Sequence, residues 1–281
     1  MSEKIVVGVT ESAVSHRAVD WAAARATARR QSLELISVVG GAVGSVGEGT
    51  VLAAAKAATE EMLRAEADRV ASDALTVHTT VATGDPVTVL SDASKDAALL
   101  VIGSDYRGPG EGPARGSHGI RIAAASACPV VVVPDFELTD DRSGVLVAVD
   151  GSPVSEAAIA FAASEADRLG EPLTALIVWT PIAVPRNALM VMPQDYRTGM
   201  EDAAREALAL SIAGLRSQYP GIEIEEAVAE GFPSAVINEL AESARLTVVG
   251  SRGHGAVRRF LLGSISHEVL QRLATVTAVV R

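Results

Sequence analysis

The strongest constraint on the fold is that the chain contains the same pattern twice. Residues 4–10 and 33–39 match residues 144–150 and 173–179 at a constant offset of 140 positions. Later in each copy the offset becomes 147, because the second copy carries seven extra residues. Internal similarity over such a distance predicts one domain fold formed twice in tandem.

Each copy alternates short apolar segments with segments of helical periodicity. The apolar segments have the composition of buried parallel strands, and the alternation is typical of α/β domains. The helical stripes are Val19, Ala22, Ala23 and Ala26 in the first copy and Ile159, Ala162, Ala163 and Ala166 in the second. We predict two tandem doubly wound, Rossmann-like modules, each a five-stranded parallel sheet in the order 3-2-1-4-5 flanked by helices.

The boundary between the copies is predicted from a change in composition. Residues 134–143 are polar and acidic and lack periodicity, as a short domain connection does. We therefore expect a first module over residues 1–139 and a second over residues 140–281. The apolar last strands, residues 130–133 and 278–280, are edge candidates that invite pairing.

Composition excludes several classes of function. The formal net charge of −11 disfavours a nucleic-acid surface, which needs clustered Lys and Arg. We find no uninterrupted apolar run long enough for a membrane span, and the strand-like residues 5–7 leave no room for a signal peptide. We expect a cytoplasmic protein that binds neither nucleic acid nor membrane, with Cys128 as a small core residue.

One glycine-rich loop carries the chemistry of the second copy. Gly250, Gly253 and Gly263 are separated by two and nine residues, and Ser264 follows the last of them at a helix start. Glycines permit positive φ and close backbone approach, and a helix N-terminus offers N–H donors to phosphate oxygens. Neither a lysine-bearing P-loop nor G-x-G-x-x-G is present. The alternative is that the glycines only mark turns and that Ser264 only caps a helix.

Asp150 directly follows the first strand of the second copy, at the switch point where doubly wound folds bind ligands. A carboxylate there can accept a hydrogen bond from an adenine amino group. The segment 150–153 can equally form a tight turn that caps the next helix. Both interpretations of Asp150 are open from the sequence.

Together these residues resemble the universal stress protein family. The resemblance covers nearly the whole chain as a tandem form, and it implies ATP binding, with Mg²⁺ or Mn²⁺ carried by the phosphates and no protein-only metal site. It assigns adenine to Asp150 and the backbone of Val178, ribose and phosphate to Gly250 and Gly263, and phosphates to Gly253, Ser264 and Ser266. The remaining candidate contacts are Ala148, Val149, Val249, Arg252 and Ile265. In the family the last strands pair between modules, so we expect an intrachain pseudo-dimer, with a further homodimer as an option.

The first copy departs from the family pattern. Thr10 replaces the Asp, Tyr106 replaces the middle glycine and Gly119 replaces the second hydroxyl. The retained residues are Gly103, Gly116 and Ser117. We predict weak or absent ATP binding in the first module. The alternative is that Tyr106 stacks on a base and that the site survives.

The leading functional hypothesis is a stress-response protein, not an enzyme, in which bound ATP acts as a regulatory or structural ligand. Phosphoryl transfer needs an oriented nucleophile and charge compensation, and no water-orienting base is recognisable in the sequence. The alternatives are a slow ATPase, with Arg252 or His254 stabilising charge, and a partner-binding module without nucleotide. Arg258 and Arg259 are expected to be solvated surface charges.

Overall fold

The computed structural model describes residues 4–40, 48–104, 117–139, 141–181, 194–253 and 262–281. The chain divides into two compact units, Met1–Glu137 and Leu138–Arg281, where the sequence predicts a boundary between residues 139 and 140. They are called the first unit and the second unit below.

The first unit contains a parallel sheet. Its strands within the described residues are β1 (Lys4–Gly8), β2 (Ser32–Val39), β3 (Val77–Thr83), β4 (Leu99–Gly103) and β5 (Val130–Val133). They lie in the order β3-β2-β1-β4-β5, with every neighbouring pair parallel. Gly8, the last residue of β1, pairs with Ile36 on one side and Ile102 on the other. The carboxyl ends of β1, β2 and β4 therefore lie side by side.

Helices connect these strands. In the described part of the first unit they are α1 (Ala13–Arg29), α2 (Glu48–Val70), α3 (Pro86–Ala93) and α4 (Ser117–Ala125), with a short 3₁₀ turn at Ser94–Asp96. Pro86 occupies the first turn of α3, where a missing N–H breaks no helical hydrogen bond. Parallel neighbours with helical crossovers give a doubly wound unit.

The second unit repeats this architecture. Its described strands are β6 (Val145–Val149), β7 (Leu173–Trp179), β8 (Ile224–Glu230), β9 (Leu246–Gly250) and β10 (Val276–Val280), in the order β8-β7-β6-β9-β10. Its described helices are α5 (Pro153–Leu169), α6 (Gln194–Ser211), α7 (Leu215–Gln218), α8 (Pro233–Ala241) and α9 (Ser264–Gln271). The neighbouring strands are again parallel. The predicted α/β fold and strand order are confirmed in both units.

The predicted helical stripes are the buried faces of α1 and α5. Val19, Ala22 and Ala26 are fully buried in α1, and Ala162, Ala163 and Ala166 are fully buried in α5. Alanine lets a helix axis approach the sheet closely and has the highest helix propensity. Cys128 is also buried, as expected of a small core residue.

Side-chain hydrogen bonds attach both ends of the connecting segment. Arg17 of α1 binds the Asp135 carboxylate at 2.7 Å, and Arg142 donates to the carbonyl oxygen of Ala274 at 2.6 Å. Each end is thus held by its own unit. None of the helices in the described ranges combines the length and the apolar character that a bilayer crossing requires.

Candidate functional site

The turn after β6 places a carboxylate at the carboxyl edge of the second sheet. Asp150 Oδ1 accepts hydrogen bonds from Ser155 Oγ at 2.5 Å and from Ser152 N at 3.0 Å. The N–H of Asp150 donates to Ser155 Oγ at 2.9 Å, and Ser152 Oγ caps α5 by accepting from Ser155 N. The turn-and-cap interpretation of Asp150 is therefore correct. The carboxylate oxygen that accepts the hydrogen bonds of the turn is Oδ1.

The other carboxylate oxygen of Asp150 faces Gly253. A Cβ atom built on Gly253 would lie 2.2 Å from Asp150 Oδ2, closer than real Cβ atoms approach. The carboxylate occupies the space that a side chain at this position would take, so any other residue would displace the carboxylate or the loop. The turn after β6 and the glycine-rich loop therefore contact each other.

The sequence argument about positive φ was wrong for this loop. Gly250, Gly253 and Gly263 all have φ outside the left-handed region, and Gly263 has φ −63° and ψ 156°, which any residue can adopt. The approach is also close at Gly250, where a Cβ would lie 3.1 Å from Val154 Cγ1 of α5, so a side chain there would require a small shift of its neighbour. A substitution at Gly263 is therefore free of backbone strain.

The N-terminus of α9 faces this loop with no side-chain cap. Gly263 is the N-cap residue, and its N–H donates to the carbonyl oxygen of Ser251 at 2.8 Å. The N–H groups of the first turn have no carbonyl partner within their own helix and carry the positive end of the helix dipole. Ser264 and Ile265 are exposed there. This geometry suits an anion.

Ser266 has a different position from the one expected of a phosphate ligand. It is buried, and its hydroxyl donates to the carbonyl oxygen of Gly250 at 2.7 Å. The side chain thereby ties the start of α9 to the end of β9. Its observed contact is internal to the protein.

The remaining candidates lie on or beside the strand ends. Val149 and Val249 are buried at the ends of β6 and β9, whereas Ala148, Val178 and Arg252 are half-buried. His254, Arg258, Arg259, Tyr106 and Gly116 lie outside the described residues. The contacts of Ala148, Val149, Val178, Val249 and Arg252 with adenine, ribose or phosphate stay a prediction.

Two serines of the site were missed by the sequence reasoning. Ser155 holds Asp150, and Ser251 joins the loop to its surroundings by donating its N–H to Val280 O at 2.6 Å. The repeat contains a signal for both, because serines also stand at the equivalent positions 15 and 104. The Ser251 hydroxyl is buried, and no described residue forms a hydrogen bond with it.

The first unit forms the same turn with different side chains. Thr10 N donates to Ser15 Oγ at 2.9 Å, as Asp150 N does to Ser155 Oγ. The Thr10 hydroxyl, however, lies 2.9 Å from Ser12 Oγ, and Ser12 makes no side-chain cap to α1. The repeat therefore preserves the backbone of the turn and replaces its charge by a hydroxyl pair. Among the residues described in either unit, no group of three His, Cys, Asp or Glu side chains could hold a metal ion.

Comparison with known proteins agrees with the division of the chain into two similar units. The model of the universal stress protein family matches residues 1–134 and again residues 143–281. The chain belongs to the universal stress protein family. A universal stress protein of Mycolicibacterium smegmatis is 35% identical over 99% of this chain and 96% of its own length.

Other universal stress proteins are similar over the same extent. One from Mycobacterium tuberculosis is 31% identical, over 99% of this chain and 96% of its own. The crystal structure of a universal stress protein from Archaeoglobus fulgidus superimposes with a TM-score of 0.73 at 20% identity, covering 100% of this chain and 97% of the other. These similarities extend over nearly the whole chain and therefore include both units.

Proposed function

We propose that the second unit binds ATP as a regulatory or structural ligand, and that the protein is a cytoplasmic, stress-responsive nucleotide sensor with no strong enzymatic activity. The observation that supports this proposal best is the uncapped start of α9 beside Gly253 and the Asp150 carboxylate. One end of that site offers N–H donors to phosphates, and the other offers a carboxylate to a base. Membership of the family supports the choice of ligand.

The residues fit ATP at both ends of the ligand. The first-turn N–H groups of α9 and the half-buried Arg252 would bind the phosphates, which would carry Mg²⁺ or Mn²⁺ themselves. Asp150 and the backbone of Val178, at the end of β7, would contact the adenine. The apolar Val149 and Val249 pack beneath the same edge of the sheet.

The geometry favours binding over hydrolysis. A hydrolytic site needs a group that orients water in line with the terminal phosphate. Asp150 contacts the loop, but its Oδ1 is held by Ser152 and Ser155 and its Oδ2 faces Gly253. A carboxylate held in this way fixes the loop, and because Asp150 is exposed it would still be accessible to the amino group of a base.

The test is the nucleotide content of the purified full chain, measured by mass spectrometry after denaturation and by titration with ATP. Gly263→Asp and Gly263→Asn form a matched pair that differs only in charge. Both side chains cap helices well, so either changes stability by only a few tenths of a kcal/mol relative to glycine. We expect the aspartate to lower ATP affinity roughly tenfold more than the asparagine, about 1.4 kcal/mol, because it repels the phosphates.

Each outcome of this test selects one function. One ATP per chain in the wild type, with the difference between the two variants, supports the proposal. No bound nucleotide even after added ATP would leave a partner-binding module. Turnover of ATP that disappears in Asp150→Ala and Gly253→Glu would instead identify a slow ATPase.

A further inference from the structure

The outermost strand of the first unit is unusually exposed. β3 (Val77–Thr83) has no buried residue, and it is alone in this among the strands that the structure describes. It lies at the end of its sheet, and within the described residues only β2 pairs with it. One side of its backbone therefore has no strand partner in the described part of the chain.

The hydrogen bonds to β2 show which backbone groups point outward. Leu33 N donates to Thr76 O at 2.9 Å, directly before the strand. Gly84 N donates to Val39 O at 3.3 Å, directly after it. The even-numbered residues from 76 to 84 thus direct their backbone groups towards β2, and in a parallel ladder the residues between them face the other way. The open edge consequently offers the N–H and C=O groups of Val77, Thr79, Val81 and Thr83.

The side chains of β3 lack the features that keep edge strands apart. Natural edges carry charged residues or proline that block pairing with another chain. β3 has the sequence VHTTVAT, without Asp, Glu, Lys, Arg or Pro, and its β-branched Val and Thr residues favour strand pairing. The equivalent strand of the second unit, β8, carries Glu225, Glu226 and Glu230. The repeat therefore protects one of these edges and leaves the other open.

The open edge is complementary to that of a second molecule of the same chain. Thr80 is the middle residue of the strand. Antiparallel pairing about a two-fold axis at Thr80 joins Val77 to Thr83 and Thr79 to Val81 of the second molecule. All four residues face outward, so each open N–H and C=O meets a partner. Thr80 then lies opposite its own equivalent, and Thr–Thr pairs stabilise antiparallel sheets. The same pairing of β8 would bring together three carboxylates from each molecule.

Helix α2 extends this edge into a broader surface. It packs on β2 and β3, and its residues Glu66 and Arg69 bind α1. The face of α2 opposite these two residues is therefore directed away from α1. Helical spacing places four exposed residues on that face, Ala53, Ala57, Glu60 and Arg64. The alanines allow close approach, and Glu60 and Arg64 supply opposite charges that a two-fold contact can pair.

We propose that β3 is a dimerisation edge, through which two molecules of this protein pair β3 with β3 in antiparallel order, centred on Thr80. The partner is a second molecule of the same chain because the open groups, the centre of the strand and the absence of charge all suit self-pairing. Such a contact uses the same surface on both molecules and closes at two. It uses neither the last strands nor the proposed nucleotide site.

Thr79→Pro tests the pairing without breaking the sheet of the first unit. The N–H of Thr79 points outward, and proline is tolerated on an edge strand where its missing N–H faces solvent. We expect sedimentation of the full chain to show a concentration-dependent dimer, and Thr79→Pro to raise its dissociation constant roughly tenfold or more. Glu226→Pro, the equivalent substitution in β8, is the matched control and should leave dimerisation unchanged. Circular dichroism verifies that both variants are folded.

Thr80→Cys tests the register. Residues in a non-hydrogen-bonded antiparallel pair have Cα atoms about 4.5 Å apart, and disulfides span about 4.4–6.8 Å between Cα atoms. Air oxidation of the dilute variant, catalysed by copper phenanthroline, should therefore link two chains on a non-reducing gel. Ala227→Cys, at the centre of β8, is the matched control and should stay unlinked. The native Cys128 is buried.

The other outcomes would overturn the inference. A wild type that is monomeric at every concentration would leave the edge to an extended segment of a different protein. A dimer with an unchanged dissociation constant in Thr79→Pro would place the contact on another surface, such as the last strands. Equal cross-linking of Thr80→Cys and Ala227→Cys would show that the disulfide reports random collision.

Discussion

The two units form the same turn at the end of their first strand, yet the contacts around that turn differ. In the second unit a carboxylate, Asp150, touches Gly253 of the glycine-rich loop. In the first unit Thr10 and Ser12 pair their hydroxyls at the edge of an apolar cleft. The repeat therefore conserves the backbone and allows the chemistry of each site to diverge.

The units also differ in how a crossover helix is fixed. In the first unit a helix clamp, consisting of His16, Asp20, Glu66 and Arg69, joins α1 to α2. Glu66 is buried, and Arg69 binds both of its oxygens as well as Asp20. The second unit has Glu and Ala at the positions of His16 and Asp20, so this clamp is not repeated.

The largest expected effect on ligand binding concerns Gly253. Gly253→Ala places a methyl group where Asp150 Oδ2 lies, so the loop or the carboxylate must move. We expect a loss of ATP affinity of about 100-fold, about 2.7 kcal/mol, measured by titration calorimetry. In an Asp150→Ala background the same substitution should have little further effect. An equal loss in both backgrounds would show that the contact with Asp150 is not the cause.

The helix clamp predicts a large effect on stability in the first unit only. Arg69→Ala should lower the free energy of unfolding by about 3 kcal/mol, because it leaves the buried Glu66 carboxylate without its main cation. This value is the low end for broken buried pairs, since the Arg69 side chain is 40% exposed while that of Glu66 is 5% exposed. Urea unfolding of the full chain measures this loss. Arg205→Ala, which removes an exposed pair with Glu201, is the control and should change stability by less than about 0.5 kcal/mol.

The same clamp predicts a pH dependence. Burial raises the pKa of Glu66, but hydrogen bonds from Arg69 and His16 outweigh burial and lower it below its ordinary value of 4.5. A carboxyl with a lowered native pKa stabilises the fold above the unfolded pKa and loses that contribution as the pH falls through the native pKa. The stability difference between wild type and Glu66→Gln should thus be constant above pH 5 and shrink in more acidic solution. A difference that grows on acidification would contradict this.

A medium effect is expected at the two helix N-caps that follow β3 and β8. Asp85 caps α3, whereas Phe232, at the equivalent position of α8, makes no side-chain cap and is 75% exposed. Phe232→Asp should stabilise the second unit by about 1 kcal/mol. Asp85→Phe should destabilise the first unit. Thermal unfolding of both variants tests the comparison, and shifts of the same sign would refute it.

The smallest effect is expected at the C-caps of α1 and α5. Both caps are left-handed, with φ 54° at Arg30 and φ 67° at Gly170. Because glycine adopts this conformation without a Cβ penalty, Arg30→Gly should stabilise the first unit by about 0.5 kcal/mol, and Gly170→Arg should destabilise the second by about 1 kcal/mol. Within the described residues nothing lies within 4 Å of a Cβ on Gly170, so steric crowding does not contribute. Unchanged unfolding in Gly170→Arg would contradict the argument.

Several predictions from the sequence stay untested by the fold. The intrachain pairing of the two last strands stays a prediction. A homodimer and the ligand assignments to Arg252 and Ser264 also stay predictions. The weak or absent ATP binding predicted for the first unit also stays a prediction. Tyr106 and His254 lie outside the described residues, so their roles stay predictions.

The sequence by itself determined the architecture. The repeat, the apolar strands and the alanine stripes of α1 and α5 are local and periodic signals, and each predicts which face is buried before any partner is known. Parallel pairing and crossover handedness then leave few topologies. The predicted order 3-2-1-4-5 is one of these few, and the structure confirms it in both units.

Only the tertiary structure decided the contacts of the site. Gly253 and Asp150 are more than 100 positions apart, and Ser266 turns inward to Gly250 although its place in the sequence indicates a phosphate ligand. His16 and Glu66 meet across two helices. Periodicity gives the face on which a residue lies. The distance between side chains from different elements depends on how closely those elements pack, and this packing is set by the whole core.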